Sequence, residues 1–168
     1  MAGDDDVGRG AAEDMAGTPV SRPTISVVAP AYNEEGALPN LAARLLAAGD
    51  ESGVSLEVVI VDDGSTDGTW KCIVGLQERY GERVRGVLHD ANRGIPAAWR
   101  SGIAEARGEY VCLIDADLQN PPEQVITLYR RLKESRADIA QGVRSQIERE
   151  KDSRLLFSKG LNFLLNSA

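Results

Sequence analysis

The chain has 168 residues, of which 42% are hydrophobic and 27% charged, and its formal net charge is −7. This length and composition predict one globular domain with a hydrophobic core. An acidic chain cannot neutralise a run of phosphates, which argues against a general nucleic-acid-binding protein, and no apolar stretch approaches the ~18 residues that would cross a membrane.

Residues 1–22 differ in composition from the rest of the chain. They are rich in Gly, Ala and acidic residues and show no hydrophobic period. This composition predicts a disordered acidic tail, followed by one folded domain over residues 23–168. The tail lacks the basic start and continuous apolar stretch of a signal peptide, which favours a cytoplasmic protein.

Patterns typical of strands and helices alternate from residue 24 onward. Apolar, β-branched runs predict five strands, at residues 24–30, 56–63, 84–89, 110–115 and 137–142. We expect Pro30 to end the first strand. Helical spacing of apolar residues predicts helices in the connections, the first marked by Leu38, Leu41 and Leu45, the second following cap residues at 65–67, and the third covering 96–106.

The fourth and last helices have distinct signals. Asn120 is expected to cap the fourth helix, with Pro121 at its first position and Glu123 as a capping-box partner. A last helical pattern runs from about Asp152 to the end of the sequence. The alternation as a whole predicts an α/β fold, with a mostly parallel, doubly wound sheet and helices on both faces.

Polar or acidic groups follow four of the predicted strands, at 30–35, 62–68, 90–94 and 115–120. Sheets of this kind bind ligands at the carboxyl ends of their strands, beside a topological switch point. Solvated turns would explain one or two such ends, but they explain four in a row poorly. The pattern therefore favours a ligand site at this edge of the sheet.

The segment YVCLIDADLQNPPE runs an apolar strand directly into two acids. In an extended chain Asp115 and Asp117 project to the same side, while Ala116 points away. Two close carboxylates repel each other unless a divalent cation lies between them, and oxygen ligands suit Mg²⁺ or Mn²⁺. Gln119 adds a carbonyl oxygen. The alternative is an acidic turn in solvent without a metal.

The remaining candidate residues have plainer interpretations. Residues 62–68 are typical of a turn and helix cap, although an Asp at a strand end also accepts hydrogen bonds from a base or a ribose. The sequence has neither a Rossmann glycine motif nor a P-loop. We expect His89 in a loop at a strand end, with no Ser-His arrangement, and Cys72 and Cys112 as small buried apolar residues.

Four segments together resemble family 2 glycosyltransferases of the GT-A fold. They are VVAPAYNEE, VVIVDDGSTDGT, NRGIPAAWRSGIAEARGEYV and LIDADLQNPPE, and the similarity covers roughly residues 24–166. The Leu-Gln after the second Asp looks most like the branch that transfers sugars to polyprenyl phosphates. The resemblance implies an inverting, metal-assisted glycosyltransferase.

The resemblance also implies roles for individual residues. Asp115, Asp117 and Gln119 would hold Mg²⁺ or Mn²⁺, and Asp117 and Arg144 would be catalytic. Either Asp62 or Asp63 would contact the base or ribose. The residues implied to bind the nucleotide-diphosphate sugar are Pro30, Tyr32, Asn33, Glu34, Asp62, Asp63, Asn92, Gly94, Asp115, Ala116, Arg144 and Arg149. A solvated charge run is the alternative for Arg149.

The acceptor implied by the resemblance is a polyprenyl phosphate, but the acceptor portion of the domain looks incomplete. A non-catalytic or truncated nucleotide-sugar-binding module, or a family 2 transferase with a glycan acceptor, is the alternative. Residues 154–166 would form a helix with Phe157, Leu161 and Leu164 on one face. Such a helix suits peripheral contact with the cytoplasmic face of a membrane, and packing on the core is the alternative.

Overall fold

The computed structural model describes residues 22–142 and the backbone of 162–165, so the predicted tail, apart from Arg22, lies outside the described residues. The strands are β1 (Ile25–Ala31), β2 (Leu56–Asp62), β3 (Val84–Leu88), β4 (Tyr110–Leu113), β5 (Ile139–Gln141) and β6 (Asn162–Leu165). The helices are α1 (Leu38–Ser52), α2 (Thr69–Tyr80), α3 (Ile95–Glu105) and α4 (Gln124–Ser135), and a short 3₁₀ turn covers Gly81–Arg83.

The strands form one sheet in the order β3-β2-β1-β4-β6-β5. Strands β1 to β4 pair in parallel, while β6 is antiparallel to both β4 and β5. After β1 the chain moves outward through β2 to β3 and then returns to place β4 on the other side of β1. The predicted mostly parallel, doubly wound sheet is confirmed, with its switch point between β1 and β4.

The larger part of the core lies between the sheet and helices α1, α2 and α4. Alternate residues of β1 and β2, such as Val27 and Ile60, pack there against Leu41, Ile73 and Val125, and all five are fully buried. The predicted apolar stripe of α1 is the buried side of that helix. Every second residue of these strands and every third or fourth residue of the helices is apolar, and the two sets pack against each other in one interface.

Helix α3 covers the opposite face of the sheet. Val28, Val59 and Val111 are buried beneath it, with Trp99 and Ile103 packed against them. The predicted two-sided arrangement of helices is confirmed. Among the described residues, no helix is long and apolar enough to cross a bilayer.

The predicted end of the first strand was wrong by one residue. Strand β1 passes through Pro30 to Ala31. The carbonyl of Val28 accepts a bond from Ile114 on the β4 side, so the backbone of Pro30, two positions later, faces the same neighbour. Strand β4 pairs with β1 only as far as Val28, so the missing N–H of Pro30 leaves no ladder bond unmade.

The predicted capping box of the fourth helix was also wrong. Helix α4 begins at Gln124, and no side-chain hydrogen bond caps it. The carboxylate of Glu123 is instead bound by the guanidinium of Arg44, at 2.6 and 2.7 Å. Two charge-assisted bonds to an arginine are stronger than one bond to a backbone N–H, which explains why Glu123 does not reach back to Asn120.

The predicted last helix was wrong where the structure describes it. Residues 162–165 form a strand, with Phe163 in register with Cys112 of β4 on one side and with Ala140 of β5 on the other. This strand satisfies backbone groups along two neighbouring strands, which a helix at this position would leave unpaired. Residues 154–161 of the suggested membrane helix lie outside the described residues.

Candidate functional site

Four strand ends, those of β1 to β4, meet at the carboxyl edge of the sheet. In the pairing register Ala31 of β1 lies opposite Asp62 of β2, and Val28 of β1 lies opposite Leu113 of β4. The residues that follow each strand therefore share one edge. We call this edge the rim, and it comprises residues 30–35, 62–68, 89–94 and 115–120.

The acidic pair lies where the chain leaves the sheet after β4. Ile114 and Ala116 are buried in the core, whereas Asp115 and Asp117 are each only half-buried. The expectation of an extended chain through Asp117 was wrong, since β4 ends at Leu113 and residues 116 and 117 form a turn. Gln119 is exposed, and its backbone N–H donates to Oδ1 of Asp117 at 3.1 Å.

Two loops of the rim are joined by reciprocal hydrogen bonds. The N–H of Asn33 donates to Oγ of Ser65, and Oδ1 of Asn33 accepts from the N–H of Thr66, both at 2.9 Å. The N–H of Glu34 donates to Oγ1 of Thr69, also at 2.9 Å. The polar residues of DGSTDGT therefore build the rim. The predicted cap of α2 is confirmed for Asp67, whose Oδ1 accepts from the N–H of Thr69, the first residue of the helix, at 2.9 Å. Ser65 and Thr66 instead bind the first loop.

Asn33 and Tyr32 occupy the exposed crest of the first loop. Asn33 has a φ of 58°, a left-handed conformation that Asn tolerates better than most residues. Tyr32 is 46% exposed, which is high for a tyrosine next to a buried strand. The loop thus presents an aromatic face at the rim, beside the end of β2.

Both carboxylate oxygens of Asp63 are bound by other groups of the protein. Its Oδ1 accepts from the N–H of Arg93 at 2.9 Å and lies 2.6 Å from Nδ1 of His89, and its Oδ2 accepts from the N–H of Gly94 at 2.8 Å. Burial favours the neutral acid, but these hydrogen bonds outweigh it and lower the pKa of Asp63. One carboxylate therefore holds both ends of the loop 89–94.

Asp62 differs from its neighbour. Its Oδ1 accepts from the N–H of Ser65 at 2.9 Å. Its Oδ2 is buried and has no hydrogen-bond partner in the part of the chain that the structure describes. A buried carboxylate oxygen without a donor is costly, so this atom is a candidate acceptor for a ligand.

His89 is buried and makes more contacts than a loop position after a strand would predict. It follows β3 directly, as expected, but it is 5% exposed and lies between Asp63 and Ser101, with Nε2 2.9 Å from Oγ of Ser101. The prediction that no Ser-His arrangement exists was wrong. A lone histidine after a strand, in the same sheet as an Asp-Asp pair, was the available signal.

This Asp-His-Ser chain serves to connect elements. Ser101 lies in the middle of α3, and the contact ties that helix to the ends of β2 and β3. Asp63 is already occupied by two backbone N–H groups. The arrangement therefore fixes the rim loop and gives no indication of a nucleophile.

The donor set after β4 suits a cation that also binds a ligand. No group of three His, Cys, Asp or Glu side chains among the described residues could enclose a metal ion. Mg²⁺ is usually held by one or two carboxylates together with phosphate oxygens of a substrate. The pair Asp115 and Asp117, with the amide of Gln119 nearby, fits that pattern.

Other candidate residues fall in three places. Gly94, with a φ of 84°, and Asn92 belong to the loop held by Asp63, where Oδ1 of Asn92 accepts from the N–H of Gly94 at 3.1 Å. Arg144 and Arg149 lie outside the described residues. Cys72 and Cys112 are free thiols, the first half-buried and the second buried, as expected of small apolar residues.

Solved structures define the class of the domain. A mannosyltransferase from Pyrobaculum calidifontis in complex with GDP-Man and Mn²⁺ matches with a TM-score of 0.54 and 27% identity, over 75% of this chain and 37% of its own. A glucosyl-3-phosphoglycerate synthase from Mycobacterium tuberculosis with Mn²⁺, UDP and glucosyl-3-phosphoglycerate matches with a TM-score of 0.52 and 27% identity, over 66% and 39%. The fold is of the GT-A type.

The sequence defines the family within that class. The profile of glycosyl transferase family 2 matches residues 26–166, and the chain belongs to this family. An undecaprenyl-phosphate 4-deoxy-4-formamido-L-arabinose transferase from Aeromonas hydrophila is 45% identical over 101 residues, 60% of this chain and 31% of the relative. The chain spans about a third of the length of the curated relatives it matches.

Proposed function

We propose that this chain carries the donor-binding part of a glycosyltransferase that moves a sugar from a nucleotide-diphosphate sugar to a polyprenyl phosphate. The observation that carries the proposal is the position of Asp115 and Asp117 at the switch point, beside the end of β1. Relatives named as undecaprenyl-phosphate sugar transferases support the acceptor, and neighbours solved with GDP-Man or UDP support the donor.

Tyr32 and Asp62 are the residues we assign to the nucleoside. The exposed ring of Tyr32 offers a face on which a base stacks. Of the two acids that the sequence left open, Asp62 has the unused oxygen, whereas Asp63 is occupied by the loop 89–94. A donor group of the base or ribose would remove the cost of burying Oδ2 of Asp62 unpaired.

Asp115 and Asp117, with Gln119, are the residues we assign to Mg²⁺ or Mn²⁺ and the donor diphosphate. A divalent cation bound there would offset the negative charge that develops as the nucleoside diphosphate departs. Ala116 anchors the pair, because its side chain is buried in the core between the two acids.

The acceptor chemistry requires little further from the chain. The second pKa of a phosphate monoester is about 6, so a polyprenyl phosphate is already anionic near neutral pH. Its oxygen forms the new bond to the anomeric carbon while the bond to the diphosphate breaks, which inverts that centre. No residue has to remove a proton, which agrees with a histidine engaged in holding a loop.

The test is a binding panel with UDP, GDP and dTDP, each with and without Mn²⁺, followed by sugar transfer to undecaprenyl phosphate. We expect one nucleotide to bind with Mn²⁺ dependence, and Asp115→Asn/Asp117→Asn to abolish that dependence. Glu51→Gln/Asp138→Asn is the matched control, since both side chains are exposed and lie at the opposite edge of the sheet.

Three outcomes bear on the proposal. Mn²⁺-dependent binding that survives in Asp115→Asn/Asp117→Asn would contradict the metal assignment. Binding without transfer would favour a nucleotide-sugar-binding module. Transfer to a glycan and not to the lipid phosphate would show that the acceptor is a glycan.

A further inference from the structure

The segment that carries the acidic pair is held in a strained shape. Leu118 has a φ of 58°, although it is neither glycine nor asparagine, and its side chain packs against the core. A left-handed residue of this kind costs roughly 1–2 kcal/mol. The surroundings must therefore hold the segment 115–123, since an unsupported loop would relax away from this conformation.

The far end of this segment is fastened by one arginine. Arg44 of α1 donates two hydrogen bonds to the carboxylate of Glu123, from Nε to Oε1 at 2.6 Å and from Nη2 to Oε2 at 2.7 Å. The hydrogen bond from Arg44 is the main cause of a lowered pKa of Glu123. The pair joins residues 79 positions apart, so it connects α1 to the start of α4.

The pair contributes more to geometry than to stability. The two side chains are 38% and 49% exposed, and an exposed ion pair stabilises a fold by at most ~1 kcal/mol. Its two parallel bonds, however, fix the direction of Glu123. Pro121 and Pro122 have fixed φ angles, so few backbone rotations separate Glu123 from Gln119.

We propose that Arg44 is a positioning residue for the metal-binding segment. By holding Glu123, it keeps Asp117 and Gln119 in the arrangement that a divalent cation and a diphosphate require. This inference rests on the proposed function, because it assumes that the segment binds Mg²⁺ or Mn²⁺. Arg44 would act on the cation through Glu123, whose carboxylate it binds.

The chain offers a matched control on the same helix. Asp50 of α1 accepts two bonds from Arg83, at 2.8 and 3.2 Å, and the two side chains are 64% and 42% exposed. This pair has the same chemistry as the first. It lies near the end of α1, six residues beyond Arg44 and away from the rim.

The experiment compares Arg44→Gln, Glu123→Gln, the swapped Arg44→Glu/Glu123→Arg and Arg83→Gln with the parent chain. Mn²⁺ is titrated in the presence of UDP or GDP, whichever the parent binds, and the half-saturating Mn²⁺ concentration is measured. We expect Arg44→Gln and Glu123→Gln to raise that concentration about tenfold, as residues supporting metal ligands do. The swapped pair recovers part of the loss, and Arg83→Gln has no effect.

A second measurement separates positioning from folding. Binding of uridine or guanosine without metal should be unchanged in Arg44→Gln, and amide hydrogen exchange should rise in residues 117–123 and not in α2. Mn²⁺-dependent binding in the parent that is unaltered in Arg44→Gln, or equally weakened in Arg83→Gln, would overturn the inference alone. A parent chain without Mn²⁺-dependent binding would overturn the proposed function together with it.

Discussion

Asp62 and Asp63 are adjacent in the chain but have opposite environments. Successive residues of a strand face opposite sides of the sheet, so Asp63 meets His89 and the loop 89–94, whereas Asp62 meets the loop that begins at Ser65. The sequence alone could not rank them. The hydrogen bonds distinguish them, because of these two acids Asp62 has a buried oxygen without a partner in the described part of the chain, whereas both oxygens of Asp63 are bound.

Replacing each acid in turn should separate stability from ligand binding. In Asp63→Asn an amide NH₂ faces backbone N–H groups, and we expect the free energy of unfolding to fall by about 1–3 kcal/mol. Asp62→Asn should change stability less but weaken nucleotide binding about ten- to hundredfold, since a charge-assisted hydrogen bond contributes ~1.5–3 kcal/mol. Urea unfolding and calorimetric titration with UDP and GDP measure the two effects, and the reverse pattern would refute the assignment.

At the scale of elements, helix α3 depends on a close approach to the sheet. A Cβ on Gly102 would overlap with Cγ1 of Val28 and lie 3.0 Å from Cγ2 of Val61. Gly75 of α2 is exposed and has nothing within 4 Å of an added Cβ. Two helical glycines thus differ only in what lies next to them.

Alanine at these two positions should act in opposite directions. We expect Gly102→Ala to lower the free energy of unfolding by about 1–3 kcal/mol through overpacking. Gly75→Ala should raise it by ~0.5–1 kcal/mol, the usual difference between alanine and glycine inside a helix. Denaturant unfolding measures both changes. If Gly102→Ala leaves the free energy of unfolding unchanged, α3 packs more loosely against the sheet than the structure shows.

For the whole molecule, the carboxylates that hold the rim in place should make the free energy of unfolding sensitive to acid. The pKa of Asp63 is lowered by hydrogen bonds that outweigh its burial, and that of Glu123 is lowered mainly by Arg44. Groups with a lower pKa in the folded state stabilise it above their unfolded values, about 3.9–4.3, and lose this contribution as the pH falls through the folded values.

We therefore expect the free energy of unfolding to be nearly constant from pH 7 to about 5 and to fall below about pH 4. Most of this change should come from the buried Asp63, because solvent weakens the exposed pair of Glu123 with Arg44. Urea unfolding at several pH values should show a flatter dependence for Asp63→Asn. An equal slope in parent and variant would place the sensitivity elsewhere.

The sequence by itself determined the order of the first five strands and the first four helices, and it located the rim. These features are local, because hydrophobic period, β-branched runs and turn residues are read within about ten positions. The last four described residues show the limit of that approach, since a short apolar run is compatible with a helix or a strand. These residues form a strand because they pair with the backbones of both β4 and β5.

Only the tertiary structure decided which polar residues act together. It paired Arg44 with Glu123 across 79 positions, buried His89 against Asp63, and left one oxygen of Asp62 unsatisfied. Hydrogen bonds depend on separations of about 3 Å between atoms that no local pattern relates. The sequence thus predicts where the rim lies, whereas the packing of helices and loops determines which residues hold the rim in place.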